Sequence, residues 1–98
     1  MTDKPAVDAI QLSPLDGVAT VLRAVGRGES ITVGCGTAVS TVDVREDIPL
    51  CHKIALSQLM PGDRILKYGE PIGEATAKIQ PGSHVHVHNL RSLRARAR

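Results

Sequence analysis

The chain has 98 residues, 42% hydrophobic and 22% charged, with a formal net charge of +2. That describes one soluble domain with a single core, and no apolar run approaches the roughly 18 residues a membrane span needs. One aromatic residue, Tyr68, cannot supply the stacking platform that single-stranded nucleic acid requires.

Residues 1–8 are polar with Pro5 and are expected to form a flexible N-terminus. Ala9 to Leu12 reads as a short strand, and Ser13-Pro14-Leu15-Asp16-Gly17 as a turn. Val18 to Val25 reads as a strand with a helix as runner-up, broken by Gly26-Arg27-Gly28. Ile31-Thr32-Val33 is a short strand, and Val39 to Val44 alternates as a half-buried one. Arg45-Glu46-Asp47 is a charged turn. His52 to Leu56 is a strand, and Arg64 to Tyr68 another that ends at Gly69. Pro71-Ile72-Gly73 reads as a turn, Ala75 to Ile79 as a strand, Pro81-Gly82 as a turn and His84 to Asn89 as the last strand.

Ten Val and seven Ile against nine Leu also favour strands. The fold class is therefore all-β, with any helix one or two turns long. One pattern recurs three times: an apolar residue, Gly three positions later, and Ile or Val three after that. It appears as Val25–Gly28–Ile31, Leu59–Gly62–Ile65 and Ile79–Gly82–Val85. Each is expected to be a tight turn with Gly at positive φ and apolar flanks packed inward.

Charge is unevenly placed. Arg91, Arg94, Arg96 and Arg98 give an Arg-rich C-terminal tail over 91–98, and residues 1–90 carry a net −2. Without aromatics or a basic face behind it, the tail reads as a docking extension or a solvated end rather than a nucleic-acid arm. Cys35 and Cys51 have no metal-type spacing. The start of the chain has no export pattern, so both are expected to be reduced thiols in the cytoplasm.

His84-Val85-His86-Val87-His88 is the segment richest in chemistry. On a strand the three imidazoles share one face and the valines the other. Neighbouring imidazoles about 7 Å apart along a strand can converge on one metal, and a third reaches it only if the strand bends. His52 is the further ligand candidate. The same row could instead be a solvated face, bind a carboxylate or move a proton. Lys53 could bind an anion or run along the surface. Cys51 beside His52 is no nucleophile pair, because adjacent strand residues face apart. Asp16, Tyr68 and Asn89 complete the polar candidates, with Asp16 and Asn89 also suited to stabilising turns.

Three stretches together resemble a known family. They are Ile48 to Leu56 around Cys51-His52-Lys53, Pro61 to Gly73 around Lys67-Tyr68-Gly69-Glu70, and Gly82 to Leu90 around the histidine row. They resemble the SAF domain of the altronate/galactarate dehydratase family, over a domain spanning residues 9–90. The resemblance implies a β-clip fold and a cytoplasmic lyase that eliminates water or sulfite from a 2-hydroxy acid to give a 2-keto acid. It implies a large dehydratase subunit as partner, a small acidic sugar or 2-hydroxy acid as substrate, and a divalent metal, iron or manganese. It carries over catalytic roles for His52, His86 and His88, metal ligation by His84, His86 and His88, and substrate binding by Lys53, Tyr68 and Asn89. Neither nucleic acid nor membrane is implied, and the isolated chain could homo-oligomerise. Three positions depart from the pattern: Ser13 stands where the family has a histidine, Gly17 where it has an asparagine, and Cys51 where it has a glycine. A non-catalytic β-clip module that binds an acidic sugar or a metal is the alternative reading.

Overall fold

The computed structural model describes residues 7–93. Most of the flexible N-terminus expected over 1–8, and residues 94–98 of the Arg-rich tail, lie outside the described residues. The described elements are nine strands: β1 (Ala9–Ile10), β2 (Val18–Val21), β3 (Ser30–Cys35), β4 (Ala38–Asp43), β5 (Lys53–Ala55), β6 (Arg64–Lys67), β7 (Glu70–Ala75), β8 (His84–Val85) and β9 (Leu90–Ser92). They form a six-stranded sheet in the order β4-β3-β1-β2-β5-β8 and a three-stranded sheet in the order β6-β7-β9. Only the β1–β3 pair is parallel. The all-β architecture of short strands agrees with the β-clip expectation.

Strand parity sorts the apolar residues into two cores. Ala19, Val21 and Ile54 face a cluster with Val25, Ile31, Val33 and Ile48. Val18, Ala55 and Val85, from the opposite faces of β2, β5 and β8, join Leu59, Ile65, Ala75 and Ile79. The central strands thus lie between two thin aliphatic cores, rather than around the single core expected from the chain's length.

The recurring pattern is one turn used three times. Gly28, Gly62 and Gly82 have φ of 94°, 91° and 90°. Each turn closes with a backbone bond, Glu29 to Gly26, Asp63 to Met60 and Ser83 to Gln80. Positive φ at the third residue is the signature of a type II turn, and Pro61 and Pro81 occupy the preceding position that proline favours. All six flanking apolar residues are buried.

Several expectations are corrected. Pro71-Ile72-Gly73 lies inside β7 rather than in a turn; the turn comes earlier, at Tyr68-Gly69, where both residues have positive φ. Paired left-handed residues are what a two-residue hairpin demands. Gly73 is needed because a Cβ there would strike the backbone of Arg91 in β9. The strand expected over Ala75 to Ile79 ends at Ala75, and Ile79 makes only an isolated bridge to Leu59. The strand from Val18 stops at Val21. β4 is exposed along most of its length rather than half-buried, since it is the outermost strand of its sheet. The last strand stops at Val85, and Arg91 and Ser92 belong to β9.

The three glycines do not respond equally to a side chain. A Cβ on Gly28 meets open space, whereas one on Gly82 would overlap the carbonyl oxygen of Asp43. Gly28→Ala is expected to cost about 1 kcal/mol, the strain of a left-handed residue. Gly82→Ala adds a backbone clash and should cost about 3 kcal/mol or more. Urea unfolding midpoints of the two variants check the order, and equal shifts would show that turn strain alone matters.

Candidate functional site

The site begins with the way β5 is entered. Cys51 has φ of 72°, a left-handed turn in which Cys51 N–H donates to Val21 and Val21 N–H donates back to the His52 carbonyl. That exchange fixes His52 just before β5. β8 pairs with β5 through Lys53↔Val85 and Ile54↔His84, which brings His84 beside it.

The chain then bends where the sequence pattern predicted a continuing strand. His86 N–H donates to the Asn89 side-chain carbonyl at 2.9 Å, and the Asn89 amide donates to the His84 carbonyl at 2.9 Å. Asn89 and Leu90 N–H both donate to the His86 carbonyl. This tight loop lifts Val87 out of the core, where it is 80% exposed. The valine pair therefore does not anchor a straight strand, and the imidazoles do not form a straight row.

The bend turns His86 onto His52. Their ring centroids are 3.9 Å apart and nearly parallel, and His84 stacks at 5.0 Å from His52 and 5.6 Å from His86. His52 Nδ1 and His84 Nε2 are 2.8 Å apart, so one donates to the other. One nitrogen from each of His52, His84 and His86 lies within 4.8 Å of the other two. His88 stays outside this trio, its ring tilted against His84 at 5.1 Å.

The rings are half-buried and among cations. Burial pushes the His84 pKa below its ordinary value, the neighbouring imidazoles add to this, and Glu46 opposes it. His86 is also lowered, first by desolvation and then by His52 and Lys53. Glu46 accepts the His84 backbone N–H at 3.0 Å. Both shifts favour neutral rings, the form with free lone pairs.

Three neutral imidazoles can hold a divalent ion. A tetrahedral ion needs its nitrogens about 3.4 Å apart, a separation this cluster brackets. In the short His52–His84 bond one nitrogen carries the proton and the other offers its lone pair, and loss of that proton would free both nitrogens for an ion. The donor set fits a borderline metal such as iron or zinc.

The other sequence candidates fall in different places. Lys53 borders the trio from the opposite face of β5, paired with Thr20 and Val85. Burial lowers its pKa, with a further contribution from Lys67. Both ends of the Asn89 carboxamide are engaged in the His84–Leu90 loop. Tyr68 is exposed at the β6–β7 hairpin, where its N–H and that of Gly69 each donate to the buried Asp16 carboxylate at 2.8 Å. Ser13 neighbours Gly69 in the same region. Glu46 was legible only as part of a charged turn; no spacing marked it as the acceptor for His84.

A family model described as the altronate/galactarate dehydratase SAF domain matches residues 7–93. An altronate dehydratase of Escherichia coli (strain K12) is 40% identical over 83 residues, which are 85% of this chain and 16% of that protein. An altronate dehydratase of Bacillus subtilis (strain 168) matches with the same identity and coverage. The subunit alpha of a (2R)-sulfolactate sulfo-lyase from Paracoccus pantotrophus is 44% identical over 50 residues, 51% of this chain and 75% of that subunit. The chain thus spans 16% of the length of the altronate dehydratases it matches. No helix among the described residues is long and apolar enough to cross a membrane.

The lowered imidazole pKa values set a pH dependence. The unfolded chain takes up these protons at the ordinary value near 6.5, before the folded chain does. Their contribution to stability is complete above that pH and is lost as pH falls through the folded values. The thermal midpoint should therefore drop between about pH 7 and pH 5. The variant His84→Gln/His86→Gln should flatten that slope, and an unchanged slope would refute the assignment.

Proposed function

Because the chain belongs to the altronate/galactarate dehydratase SAF domain family, we propose that it serves a hydro-lyase as its small subunit or N-terminal-type domain. It works with a large dehydratase partner in the cytoplasm. Together they eliminate water, or sulfite, from a 2-hydroxy acid to give a 2-keto acid. The observation that carries this reading is the gathering of His52, His84 and His86 from two separate segments, with one nitrogen of each within 4.8 Å of the others. A solvated histidine face needs no such convergence, and the loop bonds of Asn89 hold the rings where they meet.

Elimination removes the proton α to the carboxylate and expels a hydroxyl from the next carbon, and the resulting enol becomes the 2-keto acid. The residues that would hold an iron or manganese ion are His52, His84 and His86. Such an ion, when bound, supplies Lewis acidity at the departing oxygen. His88, exposed and with its ring tilted against His84, accepts or returns a proton. Lys53 offers an ammonium to the substrate carboxylate. Its partial burial strengthens that contact by excluding water. Asn89 acts through the imidazoles by fixing the loop that carries His86. The large partner supplies the remaining acid–base groups and the closed cavity, since the three imidazoles sit only half-buried on this chain.

Purification of the tagged chain from its own cells, under mild salt, tests the assembly. The expected result is recovery of a dehydratase-like partner and formation of 2-keto acid from 2-hydroxy acids by the recovered complex. His52→Ala should lower kcat by about a hundredfold or more and reduce bound metal, with the complex intact. Recovery of the chain alone, from cells that express the partner, would favour a self-contained binding module.

A further inference from the structure

β4 is an open edge. It is the outermost strand of the six-stranded sheet, pairs with β3 alone and is exposed along most of its length. The direction of its backbone groups follows from β3. Asp8 N–H donates to the Thr32 carbonyl at 2.8 Å, Thr32 N–H donates to Asp8 Oδ2 at 2.9 Å, and Gln11 N–H donates to the Gly34 carbonyl at 2.8 Å. Thr32 and Gly34 therefore turn their backbone groups towards the β1 side. Their partners across the ladder are Thr41 and Val39. Residues so placed in an antiparallel ladder form its non-hydrogen-bonded pairs, so the N–H and C=O of Val39 and Thr41 point away from β3. Among the described residues nothing bonds to those four groups.

The edge is closed at one end. Arg45 N–H donates to the Gly82 carbonyl at 2.9 Å, and a Cβ on Gly82 would strike the Asp43 carbonyl. The turn from Gln80 to Ser83 thus covers the edge from Asp43 onward, and the free stretch runs from Val39 to Thr41. Proteins blunt such edges with Lys, Pro or a bulge. Ala38 to Val42 has no charged residue and no Pro, its register with β3 is unbroken, and Val39 is 49% exposed.

We propose that β4 pairs with β4 of a second copy of this chain, antiparallel about a two-fold axis at Ser40. The free groups select both the occupant and the register. With the axis at Ser40, Val39 stands opposite Thr41 of the partner subunit and Thr41 opposite the partner's Val39. All the free groups on both copies then pair, in four backbone bonds. Sliding the second strand towards Asp43 drives it into the Gln80–Ser83 turn, and sliding it the other way sets Thr41 against the hairpin residue Thr37. Charge agrees with the register: the two Asp43 carboxylates stay about 20 Å apart. The interface is smaller than the roughly 1,200 Å² of a standard complex, so the dimer is weak and concentration-dependent. β8 lies at the other end of the same sheet, so both imidazole trios stay uncovered.

The test uses the full chain alone. Sedimentation velocity between about 10 μM and about 1 mM should show a monomer–dimer equilibrium. Thr41→Pro removes an outward donor and leaves the β3 ladder intact, and it should weaken the dimer about tenfold or more. Cross-linking reads the register, in a chain carrying Cys35→Ser and Cys51→Ser. Ser40→Cys should give a disulfide-linked dimer on mild oxidation, since facing Cα atoms at such a position are about 4.5 Å apart. Ala38→Cys should not, because its two copies lie about 13 Å apart. The cross-linking result stands whether or not Thr41→Pro folds. A chain monomeric at every concentration, a dimer indifferent to Thr41→Pro, or Ala38→Cys linking as readily as Ser40→Cys would each overturn the proposal. A monomeric chain that loses a large partner on Thr41→Pro would also overturn it, giving the edge to that partner. Recovery of a dehydratase partner by the unaltered chain is a separate result, so the lyase reading and this one fail separately.

Discussion

The turn from Gln80 to Ser83 is the constraint on which the site depends. Gly82 N–H donates to Ala55, Ala55 N–H donates back to Ser83, and Arg45 N–H donates to the Gly82 carbonyl. Those three bonds tie the start of β8 to β5 and to the segment after β4. There is no room for a side chain, since a Cβ on Gly82 would enter the Asp43 backbone. His84 follows two residues later. Its backbone N–H reaches Glu46, three residues beyond Asp43 and one beyond Arg45, because the turn has already packed against that segment. A backbone contact forced by one glycine therefore sets where an imidazole stands.

A second tie joins the two sheets. Asp16 is the buried charged residue among those described, and its two oxygens accept the N–H groups of Tyr68 and Gly69. Both residues are left-handed, and Tyr68 bears that conformation at a cost of about 1–2 kcal/mol that the carboxylate bonds help offset. The departure from the family pattern at Ser13 falls in this hairpin region, next to Gly69, rather than in the imidazole trio. The residues that meet in the trio are those that match the pattern.

The sequence singled out the histidines that come together in the fold but not how they meet. Alternation along His84 to His88 suggested three rings on one face. The observed loop keeps His84 and His86 together by bending the chain, adds His52 from the other side of the ladder, and leaves His88 outside. The cause is Asn89, whose side chain replaces strand partners with local bonds. Val87, set by alternation on the face opposite the histidines, is exposed for the same reason. Pro71 and Gly73 were read as turn residues by type. Their role in β7 is set by the close approach of β9, which composition does not record.

Local chemistry is what the sequence by itself determined. The three type II turns were legible because only glycine takes their positive φ cheaply, and their flanks had to be apolar to be buried. The all-β class followed from short β-branched runs between such turns, and the family from the order of motifs along the chain. Tertiary structure alone decided which of those motifs touch. The meeting of His52 with His84 and His86, the bond from His84 to Glu46 and the grip of Asp16 on a hairpin 52 residues away all join distant segments. Such contacts depend on strand register and on backbone approach between segments, and neither is encoded in the residues of a single segment.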